Sequence, residues 1–247
     1  KDTQPMYFDR MGTNVISVKA TAEPVSFRVN IDGEAPKSSS KFTGAKKFKS
    51  GGNTYFGPGL IVDLKADDNR NGIRSGLQKI LFSIDGSEFG LYQQPLDFFS
   101  REKVYKLLYN SVDSVGNTEE IHETEFIVDI TSPKTKHVIS GSYYGNTFSS
   151  RTIVTLSTSD NLCGTKNVFY HFDEEDQRSY NKPLSSTSFQ NLSEGSHTLS
   201  YHSVDNVGNV EKTKSLTFIL DHSPPGVVFT LLGDKSENNN LKFVHRN

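Results

Sequence analysis

The residues of this chain best suited to chemistry are acidic and amide side chains in a phrase that occurs twice. Ser-Val-Asp-Ser-Val-Gly-Asn-Thr-Glu contains Asp113 and Asn117, and 92 residues later Ser-Val-Asp-Asn-Val-Gly-Asn-Val-Glu contains Asp205 and Asn209. Carboxylate and amide oxygens suit Ca²⁺, which binds six to eight oxygens at about 2.3–2.6 Å. The repeated phrase therefore raises the question of a cation site in each copy.

The residues preceding each Asp indicate that it points toward a protein core. Leu107, Tyr109 and Asp113 share one face of an alternating segment, and Asp205 stands in the same relation to an upstream Leu and Tyr. If the apolar residues face the core, so does the Asp, and its buried carboxylate must be compensated. It can accept backbone N–H groups from the turn that follows, or it can bind a cation.

The elements that would position these side chains are short strands joined by hairpins. Each phrase lies between two runs that alternate apolar and polar residues, at 104–113 and 121–129 in the first copy and at 197–205 and 210–221 in the second. Such alternation indicates strands, and the Gly and Asn between them suit a tight connection. No segment carries a helical period, so the predicted class is all-β, a sandwich or barrel.

The repeat also predicts how the chain divides into units. Matching strands, loops and Pro-containing linkers indicate complete units at 33–132 and 133–223. Residues 1–32 are interpreted as the last hairpin of a preceding unit, and residues 224–247 as the start of a truncated third. A lone strand or hairpin buries too little to fold alone, so we expect this tail to be disordered or to pack on the second unit.

The composition excludes several functional classes. The chain has 27 basic and 29 acidic residues and a net charge of −2, which gives no field to attract nucleic acid or an anionic membrane. Its one cysteine, Cys163, cannot form an intrachain disulfide. No leader and no run near the roughly 18 apolar residues of a membrane helix is present, so we expect a soluble segment without membrane insertion, mature or excised from a longer chain.

Catalytic motifs are not found. No His or Cys spacing suits zinc, and neither a nucleophile motif nor a nucleotide-binding fingerprint occurs. We therefore do not expect an enzyme.

The second unit carries a family resemblance. Its pattern is Ser-Asp-Asn…Gly…Phe-Tyr-x-x-Asp…Tyr…Pro-Leu…Gly-x-His-Thr-Leu-x-Tyr-x-Ser-Val-Asp-Asn-Val-Gly-Asn-x-Glu…Asp-x-Ser-Pro. This pattern resembles bacterial immunoglobulin-like repeats and is most similar to the repeat named for a leptospiral outer-membrane protein. The match covers residues 133–223 best and 36–132 well. The resemblance implies tandem Ig-like β-sandwich domains of a secreted or surface-anchored bacterial protein.

Ig topology completes the candidate sites. It places the loop after the second strand, the last hairpin and the linker from the preceding domain at one end of each sandwich. The predicted ligands of domain 1 are Asp32, Asp67, Asp68, Asn69, Asn71, Asp113 and Asn117. Those of domain 2 are Asp129, Asp160, Asn161, Asp205 and Asn209. The loop from Asp67 to Asn71 also matches the first half of a calcium loop, but Gln78 stands where a bidentate Glu is required.

Two interpretations of these residues stay open. Asp and Asn are common in turns because their side chains accept backbone N–H groups and tolerate left-handed conformations. The alternative is a bound Ca²⁺ at each domain junction, in which case EDTA would lower the melting temperature and Ca²⁺ would restore it.

The functional prediction is an extracytoplasmic structural or adhesive module, secreted or held at the cell surface or outer membrane. It would act as a semi-rigid spacer or stalk between adjoining domains of the parent chain. The alternative is a ligand-binding module for host matrix proteins or glycans, which a larger enzyme could carry as an appendage. Apart from Ca²⁺, no cofactor is predicted.

Overall fold

A computed structural model describes residues 11–18, 25–68, 74–230, 235–238 and 241–244. The strands are β1 (Gly12–Val18), β2 (Val25–Ile31), β3 (Lys37–Thr43), β4 (Lys47–Ser50), β5 (Asn53–Phe56), β6 (Ile61–Asp67), β7 (Leu77–Ile84), β8 (Gly90–Leu91), β9 (Lys103–Asp113), β10 (His122–Val128), β11 (Lys134–Tyr144), β12 (Thr147–Ser159), β13 (Thr165–Phe172), β14 (Arg178–Ser179), β15 (Gly195–Asp205), β16 (Lys214–Leu220), β17 (Lys235–Asn238) and β18 (Leu241–Val244). The predicted fold class is confirmed: the chain is all-β, with two Ig-like sandwiches in tandem.

The first sandwich packs a six-stranded sheet, in the order β4-β5-β10-β9-β7-β8, against the β3-β6 pair. Alternate residues of β9 enter the core, where Leu107 is 0% and Tyr109 is 5% exposed. Phe56 and Phe126 meet edge to face there with ring centroids 5.9 Å apart, an arrangement that aromatic quadrupoles favour. The side chains that alternation predicted to be inward are therefore the ones that join the two layers.

The second sandwich has the sheet order β11-β12-β16-β15-β13-β14. Strand β12 joins β11 to β16: it pairs antiparallel with β11 along most of its length, and its first residues, Thr147 and Phe148, also pair in parallel with β16. Val154 of β12 shares one core with Leu199 of β15 and Phe218 of β16. The aromatic core again closes the sandwich.

One helical turn, α1 (Ser186–Phe189), was not predicted. It lies in the stretch where the second unit has residues that the first lacks. Ser185 and Ser188 cap its start reciprocally, and Phe189 is 2% exposed in the core. Four residues carry no helical period, which is why the pattern did not reveal it.

The flanking segments form hairpins. Strands β1 and β2 pair antiparallel. Strands β17 and β18 also pair antiparallel. The tail at 224–247 is expected to be disordered or to pack on the second unit; Val228 and Phe229, which precede β17, are 90% and 89% exposed, and residues 231–234, 239–240 and 245–247 lie outside the described residues. Among the described residues no helix is long and apolar enough to cross a membrane.

Candidate functional site at the two junctions

The linker, the loop after the second long strand and the last hairpin meet at one end of each sandwich. At the first junction, Asp32 of the linker, Asp68 of the loop and Asp113 of the hairpin each offer an oxygen within 4.8 Å of the others. The structure thus brings together three of the predicted ligands of domain 1.

Asp113 is fully buried at the end of β9. Its Oδ1 accepts the backbone N–H groups of Val115 at 3.0 Å and Asn117 at 2.8 Å, and its Oδ2 accepts Nδ2 of Asn117 at 2.7 Å. Burial alone would raise the pKa of Asp113, but these hydrogen bonds outweigh it and lower the pKa below its usual value. The turn therefore already stabilises the charged carboxylate.

The other two carboxylates of the first junction also accept backbone N–H groups. Oδ2 of Asp32 accepts the N–H of Ser75 at 2.7 Å, and Oδ2 of Asp68 accepts the N–H of Gly76 at 2.8 Å. Within the described ranges no lysine or arginine forms an ion pair with any of the three acids. The cluster is therefore an oxygen-only donor set without a protein counter-charge, and it fits Ca²⁺ chemically.

Several predicted ligands lie elsewhere. Asp67 is the exposed last residue of β6 and is not among the clustered acids. Asn69 and Asn71 lie outside the described residues. Asn161 donates its Nδ2 to Oε1 of Glu102 in the first sandwich at 2.5 Å, so it contacts the neighbouring sandwich. Asn117, by contrast, lies at the cluster. Its Nδ2 donates to Oδ2 of Asp113 and to the carbonyl oxygen of Asp32, the latter at 3.1 Å.

The second junction has a different donor set. Asp129, Cys163 and Asp205 each place one potential ligand atom within 4.8 Å of the others, and all three are buried. Asp160 is not one of these three residues, and its Oδ2 instead accepts the N–H groups of Leu162 at 3.1 Å and Gly164 at 2.8 Å in the turn that follows it. A sulfur atom therefore stands where the first junction has a third carboxylate.

The chemistry of this sulfur does not fit Ca²⁺, which takes oxygen ligands. Burial and the neighbouring Asp129 carboxylate raise the pKa of Cys163 to about 12, so the group stays a neutral thiol. Burial, aided by the charge of Asp160, also raises the pKa of Asp129 despite hydrogen bonds from Cys163 and Thr131. The second junction is thus a hydrogen-bonded cluster in which a neutral thiol takes the place of a third carboxylate.

Asp205 repeats the arrangement of Asp113. Its Oδ1 accepts the N–H groups of Val207 at 3.0 Å, Gly208 at 2.5 Å and Asn209 at 2.8 Å. Its Oδ2 accepts Nδ2 of Asn209 at 2.7 Å. In both copies, then, the repeated phrase encodes an Asp that holds its own turn.

Sequence reasoning missed the glutamate that closes each phrase. Glu211 is 6% exposed and accepts the N–H of Thr135 at 2.8 Å and the hydroxyl of Ser203 at 3.0 Å, while Nζ of Lys214 lies 2.6 Å away. Burial opposes ionisation, but these donors prevail and lower the pKa of Glu211. Glu119 likewise accepts the N–H and the hydroxyl of Ser38, which lies in the initial strand of the first sandwich. The available signal was the recurrence of Glu at the same place in both phrases.

The two sandwiches contact each other through the turn of the second phrase. Val207 is 1% exposed, and a Cβ atom on Gly57 of the first sandwich would lie 2.6 Å from the Val207 carbonyl oxygen. On another side, Glu102 accepts Asn161 as well as the N–H of Ile130 in the linker at 3.4 Å. The turn of the second phrase therefore lies in close contact with the first sandwich.

Comparisons with known proteins found distant structural similarities. No family model and no curated protein matches the chain. Similar solved structures include the fibronectin(III)-like modules of Clostridium thermocellum CbhA, with 15% identity, a TM-score of 0.37, and coverage of 74% of this chain and 95% of that one. The D00-D0 domain of Intimin has 13% identity and a TM-score of 0.26 and covers 65% of this chain and 91% of that one. Similarity this distant carries no argument about function.

Proposed function

We propose that this chain is a semi-rigid spacer, a segment of tandem Ig-like repeats in an extracytoplasmic bacterial protein, secreted or held at the cell surface. In this proposal the domains are 33–132 and 133–223, with partial repeats at 1–32 and 224–247. The observation that carries it is the seating of Val207 against Gly57, because a buried apolar residue between two domains resists their separation.

The linker supports the same conclusion because one residue is held by both sandwiches. The N–H of Asp129 donates to the Phe56 carbonyl of the first sandwich at 2.9 Å, and the carbonyl of Asp129 accepts Nδ2 of Asn209 in the second at 2.9 Å. Rotation about the linker must break at least one of these buried hydrogen bonds, which costs about 1–3 kcal/mol.

The test is the distribution of distances between spin labels on the two sandwiches. Val104 and Val138 are exposed strand residues, one in each sandwich, and both are replaced with labelled cysteines; the native Cys163 is buried. We expect one narrow distance peak that broadens when Gly57→Val blocks the seat of Val207. A broad distribution in the parent chain would refute a semi-rigid spacer.

Calcium is retained as a proposal for the first junction alone. Three carboxylates without a protein counter-charge support it there, whereas the thiol of Cys163 argues against it at the second junction. Calorimetric titration with Ca²⁺, alongside thermal unfolding in EDTA and in Ca²⁺, tests this proposal. A stabilisation by Ca²⁺ that disappears in Asp68→Asn and persists in Asp160→Asn would support it. If Ca²⁺ gives neither a heat of binding nor a shift in the melting temperature, the proposal is wrong.

Ligand binding is the second candidate function, for a host matrix protein or a glycan. The observation that favours it is the pair Tyr143 and Tyr144 at the tip of the β11–β12 hairpin, 49% and 89% exposed. Tyrosines with an apolar ring and a polar tip suit such contacts. Saturable binding on a glycan or matrix-protein array, lost in Tyr144→Ala, would support this function over a purely structural one.

A further inference from the structure

We propose that Val115 and the open edge of β2 beside Asp32 form a docking surface for another Ig-like repeat. The partner would present a short extended segment that ends in an aromatic residue and a glycine, as Phe56 and Gly57 do at the second junction. This inference rests on the proposed spacer function, since it takes the partner to be a further repeat.

The first observation is a difference between two equivalent valines. Val115 and Val207 each lie two residues after the buried Asp of the repeated phrase, and each donates its N–H to that Asp at 3.0 Å. Val207 is 1% exposed, whereas Val115 is 61% exposed. The turns share their local geometry, so the difference lies in what covers them.

The second observation concerns the strand that enters each junction. The last residues of β10 pair in parallel with Tyr55 and Phe56, and the N–H of the next residue, Asp129, donates to the Phe56 carbonyl at 2.9 Å. Strand β16 is paired in parallel in the same way with the start of β12. Strand β2 enters the first junction in the equivalent position, but within the described ranges its one partner strand is β1. Among the described residues, no strand pairs with the other edge of β2 beside Asn30 and Ile31.

A single segment would fill both places. At the second junction, Phe56 completes the edge of β10 and the next residue, Gly57, lies under Val207. The glycine is required by the close approach, since a Cβ there would lie 2.6 Å from the Val207 carbonyl oxygen. The same aromatic-glycine pair beside β2 would therefore cover Val115.

The test adds a complete Ig-like repeat in front of the first sandwich. Residues 1–31 are replaced with a copy of residues 33–128, which ends in a strand equivalent to β2 and carries its own copy of Gly57. Val115→Cys is then treated with a maleimide in the parent and in the extended chain, and the exposed Val104→Cys serves as the control. We expect the thiol at position 115 to react at least about tenfold more slowly in the extended chain. Replacing the copied glycine with valine should restore the parent rate.

Equal reactivity of Val115→Cys in the parent and extended chains would overturn the docking surface. Labelling of Val207→Cys in the parent chain tests the spacer separately. Slow reaction of the thiol at position 207 would support the proposed function whatever happens at position 115, and rapid reaction there would refute it.

A second arm covers the case in which the extended chain does not fold. The full chain with Val115→Cys is mixed with a synthetic peptide of residues 46–57 whose added C-terminal cysteine is activated as a thiopyridyl disulfide, so that the protein thiol displaces thiopyridone as it forms the mixed disulfide. Mixed disulfide should form in excess over the Val104→Cys control, because the peptide seats beside β2. Equal yields from the two variants would count against the proposal.

Discussion

Nδ2 of Asn209 lies 2.9 Å from the backbone carbonyl oxygen of Asp129 and 3.4 Å from its Oδ1. One amide group thereby connects the linker to the last hairpin of the second sandwich, and it also donates to Asp205 at 2.7 Å. Asn117 makes the corresponding bond to the Asp32 carbonyl at 3.1 Å. The repeated Asn is therefore one group that attaches each linker to the sandwich that follows it.

Removing this amide should loosen the second junction. Asn209→Ala leaves the buried carbonyl of Asp129 without its donor, so we expect the free energy of unfolding to fall by about 1–3 kcal/mol. Urea unfolding measures this loss. The matched control is Asn167→Ala, an exposed residue of β13, which should change stability by less than about 0.5 kcal/mol; equal losses in both variants would contradict the role of Asn209.

The two valines of the repeated turns should respond differently to the same change. Val207→Ala removes apolar surface from the contact between the sandwiches and should cost roughly 1–3 kcal/mol. Val115→Ala alters an exposed side chain and should leave the unfolding midpoint of this chain unchanged. Thermal unfolding of the two variants side by side is the measurement, and equal shifts in the unfolding midpoint would contradict the expected dependence on burial.

Acid should weaken the attachment of the first strand in each sandwich. The pKa of Glu211 is lowered in the folded state, so its contribution is fully present above the unfolded value of about 4.3 and is lost as the pH falls through the lowered folded value. Glu211→Gln should therefore flatten the acid limb of a stability-versus-pH curve measured by urea unfolding. Glu174→Gln, in an exposed loop, should leave the acid limb as steep as in the parent.

The thiol of Cys163 should be inert in the folded protein. It is 5% exposed, and its pKa is raised to about 12, so almost no thiolate is present at neutral pH. We expect one equivalent of a disulfide reagent to react in denaturant and almost none without it. Rapid reaction of the native protein would show that the second junction opens readily.

Much of the fold followed from local pattern. Alternation placed Leu107, Tyr109 and Asp113 on one face of a strand, and the structure confirms that all three are buried. The helical turn at Ser186–Phe189 was not foreseen, because four residues are too few to show a period. Of the candidate sites, the meeting of Asp32, Asp68 and Asp113 followed from topology, while the place of Cys163 beside Asp129 did not.

The sequence by itself determined which residues turn inward and where the hairpins fall, because a strand's period of two and the φ preferences of Gly and Asn act over a few residues. Only the tertiary structure decided the surroundings of residues that the repeat makes locally equivalent. Val115 and Val207 occupy the same place in the same phrase, yet one is exposed and the other is covered by Gly57 of a different sandwich. Glu211 likewise finds Thr135 far away along the chain. Burial and charge compensation depend on neighbours brought together by folding, and no local spacing specifies them.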